Sequence, residues 1–207
     1  MTLIENLQRQ YLIPVIRENS ADLLEGTCLA MAAGGLTILE VTLMSDAAFS
    51  VIQKLSSKNN LTIGAGTVLN VEQAQRAIDN GAKFLISPGL NLDIVDLAKE
   101  EGIPIFPGVL TPSEIMAAQA EGCETLKIFP ISAVGGAAYL SALKGPFPNL
   151  KWMPTGGVTL ETVPDFRRAG ALCVGMGGKL IPQDAVQAKD WTRLTKIAAE
   201  HVHFAQA

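Results

Sequence analysis

Two charged residues stand where a core strand should carry none: Glu40 within LTILEVTL and Lys127 within TLKIFP, each flanked by apolar residues. Burying either charge alone costs several kcal/mol unless it is paired or neutralised. The same desolvation lowers a lysine pKa and leaves a neutral amine able to attack a carbonyl, which makes Lys127 a candidate Schiff-base lysine. A protonated imine withdraws electrons from the adjacent carbon–carbon bond, and Glu40 could then move the protons that carbinolamine formation and carbon deprotonation require. The alternative is a structural salt bridge between the two.

Arg17 follows the first apolar run in PVIRENS. Its planar fork suits a substrate carboxylate, and the alternative is an exposed loop arginine. Glycine-rich strings GAGT (64–67), SPG (87–89), TGG (155–157) and GMGG (175–178) each follow an apolar run. Tight turns account for the first two. Gly156 and Gly157, with Gly177 and Gly178, close the last two runs, where barrels bind phosphate on backbone N–H groups and the amino end of a following helix. Phe129 and Pro130 follow Lys127 and either wall a pocket or pack in the core.

Other chemistries have few residues to use. The only histidines, His201 and His203, lie two positions apart near the chain end and would face different sides of a helix. Triads, Cys-His pairs and histidine metal cages need imidazole inside the site. Cys28, Cys123 and Cys173 are far apart without CxxC spacing, as buried thiols would be. No metal and no cofactor is expected; Lys, Arg, Glu, Asp or Tyr must carry the proton transfers.

Positioning these groups takes regular elements. Strand-like runs at 11–16, 36–43, 61–68, 83–87, 103–106, 125–130, 150–154 and 171–177 alternate with stretches of amphipathic helical spacing. Ser20, Ser45, Asn91, Thr111 and Thr159 stand at N-cap positions, and Gly34, Gly81, Gly102, Gly122 and Gly170 stand where helices should close. The pattern predicts an α/β fold, a single (β/α)8 TIM barrel over 1–207, with a short leading helix over 2–10. An open doubly wound sheet is the alternative, weakened because no GxGxxG follows the first strand.

At 207 residues the chain suits one domain, and 48% hydrophobic against 17% charged residues marks a folded chain. A net charge of −4 provides no basic field for nucleic acid or an anionic membrane, so the expected partner is a small molecule. The longest uncharged run, Ile128–Leu143, contains Pro130 and a Gly-Gly pair and is shorter than the roughly 18 to 20 apolar residues of a spanning helix. MTLIENLQRQ lacks the basic start and apolar stretch of a secretory signal, so a cytoplasmic protein is expected.

Taken in order, LEVTL, GAGTVLN, ISPGL, PGVLTPSE, LKIFP, KGPFPN and PTGGV resemble the 2-keto-3-deoxy-6-phosphogluconate (KDPG) aldolases, including the bifunctional 4-hydroxy-2-oxoglutarate (KHG) aldolases. The resemblance spans nearly the whole chain. It implies a homotrimeric class I lyase that cleaves KDPG to pyruvate and glyceraldehyde 3-phosphate, or KHG to pyruvate and glyoxylate. The galactonate epimer of KDPG and a non-catalytic keto-acid- or phosphate-binding barrel are the alternatives. The resemblance implies Lys127 as the imine-forming lysine, Glu40 as acid/base, Thr67 and Pro88 in the pyruvyl pocket with Phe129 beside the lysine, Thr155 on the aldehyde portion, and Gly156 and Gly157 on the phosphate. Two positions depart from it. Met44 stands where some members carry the arginine that holds the pyruvate carboxylate, a role Arg17 could take. Gly178 stands where many have a phosphate-binding serine, which leaves room for an unphosphorylated substrate such as KHG.

Overall fold

The computed structural model describes residues 1–206; Ala207, the last residue of the predicted domain, lies outside the described residues. In chain order the elements are α1 (Leu3–Gln10), β1 (Leu12–Ile16), α2 (Ala21–Ala33), β2 (Ile38–Thr42), α3 (Ala47–Ser56), β3 (Thr62–Gly66), α4 (Val71–Asp79), β4 (Leu85–Ile86) and α5 (Leu92–Glu100). There follow β5 (Ile105–Phe106), β6 (Gly108–Val109), α6 (Pro112–Ala120), β7 (Thr125–Ile128), α7 (Ala137–Lys144), β8 (Lys151–Pro154), α8 (Val163–Arg168), β9 (Val174–Met176), α9 (Gln183–Gln187) and α10 (Trp191–Gln206).

Every strand pairing is parallel. The strands form a six-stranded sheet in the order β5-β4-β3-β2-β1-β9 and a three-stranded sheet β6-β7-β8. The single barrel sheet predicted from the sequence is therefore found as two arcs of a curled parallel sheet. Pro107 separates the arcs at one side: the fifth strand predicted at 103–106 is found as β5, and β6 is a further short strand beyond Pro107, which has no N–H to give to a ladder. At the other side, Leu172 N donates to Trp152 O at 2.9 Å, and an isolated parallel bridge joins Thr155 to Gly175.

Strand alternation sorts the buried residues into two cores. Leu39 and Val41 of β2, and Leu126 and Ile128 of β7, join a large cluster with helix residues such as Leu24, Ile52 and Leu140. A smaller cluster, with Leu7, Ile13, Ile38, Phe84, Ile86, Phe106 and Met153, fills the space on the opposite strand face. Helix α1 closes this inner cluster: Leu7 is fully buried in it, and Leu3 and Ile4 pack against it. Burying one such leucine stabilises by about 1.5 to 3 kcal/mol. The Gln10 amide holds the helix in place, donating to Leu12 O and Ile38 O and accepting from Thr37 N and Ile38 N.

Capping follows the sequence with local shifts. Asn91 accepts from Asp93 N and Ile94 N, and Thr111 forms a capping box with Glu114. Asp46 takes the N-cap position of α3 in place of Ser45, whose hydroxyl bonds Asn19 O, and Ser20 makes no side-chain cap. Gly34 ends α2 with a negative φ, and the left-handed residue is Gly35, one position on.

Candidate active site

Glu40 sits inside β2, in register with Val15 of β1 and Gly64 of β3. Lys127 sits inside β7, in register with Gly108 and Met153. Leu39, Val41, Leu126 and Ile128 point to the helix side, so both charged side chains enter the inner space, Glu40 0% and Lys127 2% exposed.

Room for the carboxyl comes from a neighbouring strand. A β-carbon on Gly66 would stand 2.0 Å from Glu40 Oε1, so Glu40 reaches along the inner strand face into space that only glycine leaves free. Both Glu40 oxygens are buried without a hydrogen-bond partner, so the direct salt bridge considered from the sequence is not formed. Burial pushes the Glu40 carboxyl above the ordinary carboxylate range, against the opposing pull of Lys127 and then Arg17. Burial also draws the Lys127 amine below its ordinary value; Glu40 opposes this and Arg17 adds to it. Both groups are thus biased toward their neutral forms, the amine as nucleophile and the carboxyl as proton donor.

Among the other predicted residues, Phe129 lies beside the lysine. The Phe129 ring centroid is 5.0 Å from Lys127 Nζ, and a β-carbon on Gly156 would come within 3.2 Å of the same ring. Thr155, 2% exposed, directly follows β8, and Gly175 gives its hydroxyl room: a β-carbon there would lie 2.4 Å from Thr155 Oγ1. Pro88 follows β4 and packs its backbone against Gly108, where a β-carbon would come within 2.3 Å of the Pro88 carbonyl. Thr67, after β3, has φ +56°, a left-handed conformation that a β-branched residue rarely adopts and that marks a constrained position.

Arg17, Thr155, Gly156, Gly157, Gly177 and Gly178 line one pocket of about 100 Å3, together with Lys179. The two glycine loops after β8 and β9 and the arginine after β1 therefore do converge. Gly156 and Gly157 have φ of +92° and +77°, so TGG is a backbone turn built on glycine. Arg17 is exposed yet leans over Gly177, whose β-carbon would stand 2.6 Å from Arg17 Nη1. The adjacent Glu18 is buried and accepts from Gln183 Nε2 of α9 at 2.9 Å, tying the arginine loop to the segment after β9. Met44 lies elsewhere, 52% exposed in a separate pocket with Asp46, Phe49 and Arg76.

Sequence reasoning missed Gly66, Glu18 and Thr42. Thr42 is buried at the end of β2 with an unpartnered hydroxyl. Its signal was available, since it lies two residues beyond Glu40 and period-2 alternation puts both on one face. Both histidines lie on α10, where His201 Nδ1 is 2.8 Å from Ile197 O. The three cysteines are free and buried, as expected. No described helix is long and apolar enough to cross a membrane.

Comparison with known proteins finds similar chains. A KHG/KDPG aldolase of Escherichia coli (strain K12) is 38% identical over 196 residues, covering 94% of this chain and 92% of its own length. A 2-dehydro-3-deoxy-phosphogluconate aldolase of Pseudomonas aeruginosa is 38% identical over 192 residues, 91% of this chain and 86% of its own. Among solved structures, KDPG aldolase from Legionella pneumophila, with pyruvate captured at low pH as a covalent carbinolamine intermediate, superposes with a TM-score of 0.89 at 31% identity. That match covers 96% of this chain and 98% of the Legionella chain. The profile of the aldolase family described as KDPG and KHG aldolase matches residues 3–197, and the chain belongs to that family.

Proposed function

We propose that this protein is a class I aldolase that cleaves KDPG to pyruvate and glyceraldehyde 3-phosphate, with KHG, giving pyruvate and glyoxylate, as a second substrate. The observation that carries the reading is the burial of Lys127 and Glu40 on the inner strand face, with both Glu40 oxygens left without a hydrogen-bond partner. The neutral Lys127 amine attacks the C2 carbonyl of the keto acid, and Glu40 supplies the proton that lets the carbinolamine lose water to the imine. Glu40, now ionised, takes the C4 hydroxyl proton as the C3–C4 bond breaks; the electron pair moves into the iminium to give the enamine and the aldehyde departs. Glu40 returns a proton to C3 of the enamine, and hydrolysis frees pyruvate and the lysine. The iminium serves as the electron sink throughout, so these steps place no demand on a metal ion.

In this reading Arg17 holds the carboxylate that Met44 cannot, Thr67, Pro88 and Phe129 wall the pyruvyl group, and Thr155 meets the aldehyde portion. Gly156, Gly157, Gly177 and Gly178 offer backbone N–H groups to the phosphate. Gly178 has no hydroxyl to add, which favours KHG as the second substrate. The two arcs then act as one closed (β/α)8 barrel, with the link between β8 and β9 as its seam. A homotrimer in the cytoplasm completes the reading. Exposed Met44, Leu69, Val71 and Leu92, in the segments leaving β2, β3 and β4, give it an apolar surface for self-association.

Incubation with pyruvate and borohydride followed by intact mass measurement tests the chemistry, since only an imine is reduced to a stable adduct on Lys127. Absence of the adduct would sink the aldolase reading and leave a binding barrel. Cleavage rates for KDPG, its galactonate epimer and KHG then rank the substrates.

A further inference from the structure

A second buried polar group shares the β2 face with Glu40, and the steps above do not use it. Thr42 is 1% exposed, and its Oγ1 meets no hydrogen-bond partner. Alternation sends Leu39 and Val41 to the helix side and leaves Thr42 with Glu40 on the inner face. Thr42 pairs in register with Gly66, the residue into whose vacant β-carbon position the Glu40 carboxyl extends. Neighbouring strands lie about 4.8 Å apart, so hydroxyl and carboxyl stand at the same height, one strand spacing from each other. A buried hydroxyl without a partner destabilises a fold, whereas the isosteric valine carries no such cost.

We propose that Thr42 is a positioning residue for the proton-carrying carboxyl, its hydroxyl donating to ionised Glu40 in the substrate complex and aiming one oxygen at the carbon that exchanges its proton. The inference rests on the aldolase reading. The charged groups facing Glu40 are Lys127 of β7 and Arg17 beyond β1; both favour the carboxylate, and the hydroxyl adds a neutral donor to them. Thr42→Val removes the donor and keeps the shape. It should lower kcat about tenfold with little change in KM and move the acid limb of the kcat profile to higher pH. Thermal stability should be unchanged or raised. Thr42→Ser should restore both rate and profile, and Thr42→Ala should repeat the shifted limb if valine impairs folding.

Pyruvate and borohydride trapping on the same samples separates two failures. No adduct on the unmodified protein overturns the aldolase reading and this inference with it. A normal adduct with a Thr42→Val profile identical to wild type overturns this inference alone. So does a Thr42→Ser protein as slow as Thr42→Val, because the methyl group's packing would then be what counts.

Discussion

The Glu40 carboxyl occupies the volume that a side chain on Gly66 would need, 2.0 Å from where the β-carbon would stand. Gly66→Ala must therefore move the carboxyl or the strand. Misplacing a reacting group by about 1 Å costs about 10²-fold, so kcat should fall by about that factor. Overpacking should remove about 1 to 3 kcal/mol of stability. Lys127 is untouched, so borohydride trapping of pyruvate should persist. Steady-state kinetics and intact mass on one preparation check the split, and a variant with full turnover would show that the carboxyl has slack.

Glu40→Gln keeps the shape and removes the proton carrier, and kcat should drop about 10²- to 10⁴-fold. Its effect on stability has a defined sign. Burial raises the Glu40 pKa in the fold, so the folded chain holds that proton more tightly than the unfolded chain does. This contribution is complete below the unfolded value of about 4.3 and is lost as pH rises through the folded pKa. Glutamine does not titrate. The variant's stability relative to wild type should thus increase from pH 4 toward neutrality, as measured by denaturant melts across that range. A difference that shrinks with pH would mean that ionised Glu40 is net favourable in the fold.

Arg17→Ala should weaken keto-acid turnover by the worth of one charge-assisted contact, about 1.5 to 3 kcal/mol in kcat/KM. The loss should appear with both phosphorylated and unphosphorylated keto acids if the guanidinium holds the carboxylate. A loss confined to phosphorylated substrates would assign Arg17 to the phosphate, beside Gly177.

At Gly178 a β-carbon meets nothing within 4 Å, so Gly178→Ser should fold normally. The added hydroxyl should strengthen phosphate binding by about 0.5 to 1.5 kcal/mol and lower KM for KDPG. KM for KHG should stay as it was. Parallel shifts for both substrates would place the phosphate away from this loop.

Glu40 and Lys127 were legible because a charge inside an apolar strand is a local anomaly, visible without coordinates. The alternation of strands and helices was equally local, and the eight predicted strands were found with their ends trimmed, whereas the short β6 beyond Pro107 was not predicted. Cross-strand relations were not legible. That Gly66 serves Glu40 depends on β2 and β3 pairing Thr42 with Gly66, and strand composition does not specify register. Thr42 reads as an ordinary strand former, and the left-handed φ of Thr67 leaves no mark on residue type.

The link between β8 and β9 gives the glycine pocket a mechanical meaning. Gly156 and Gly157 leave one edge and Gly177 and Gly178 the other, while the described backbone linkage between those edges is the Leu172–Trp152 hydrogen bond and the Thr155–Gly175 bridge. An anion gripped by both loops would act as a rivet across this joint, supplying partners to both margins at once. Ligand occupancy and resistance to local parting would then rise together, and amide exchange near Thr155 and Gly175 would slow in proportion to saturation.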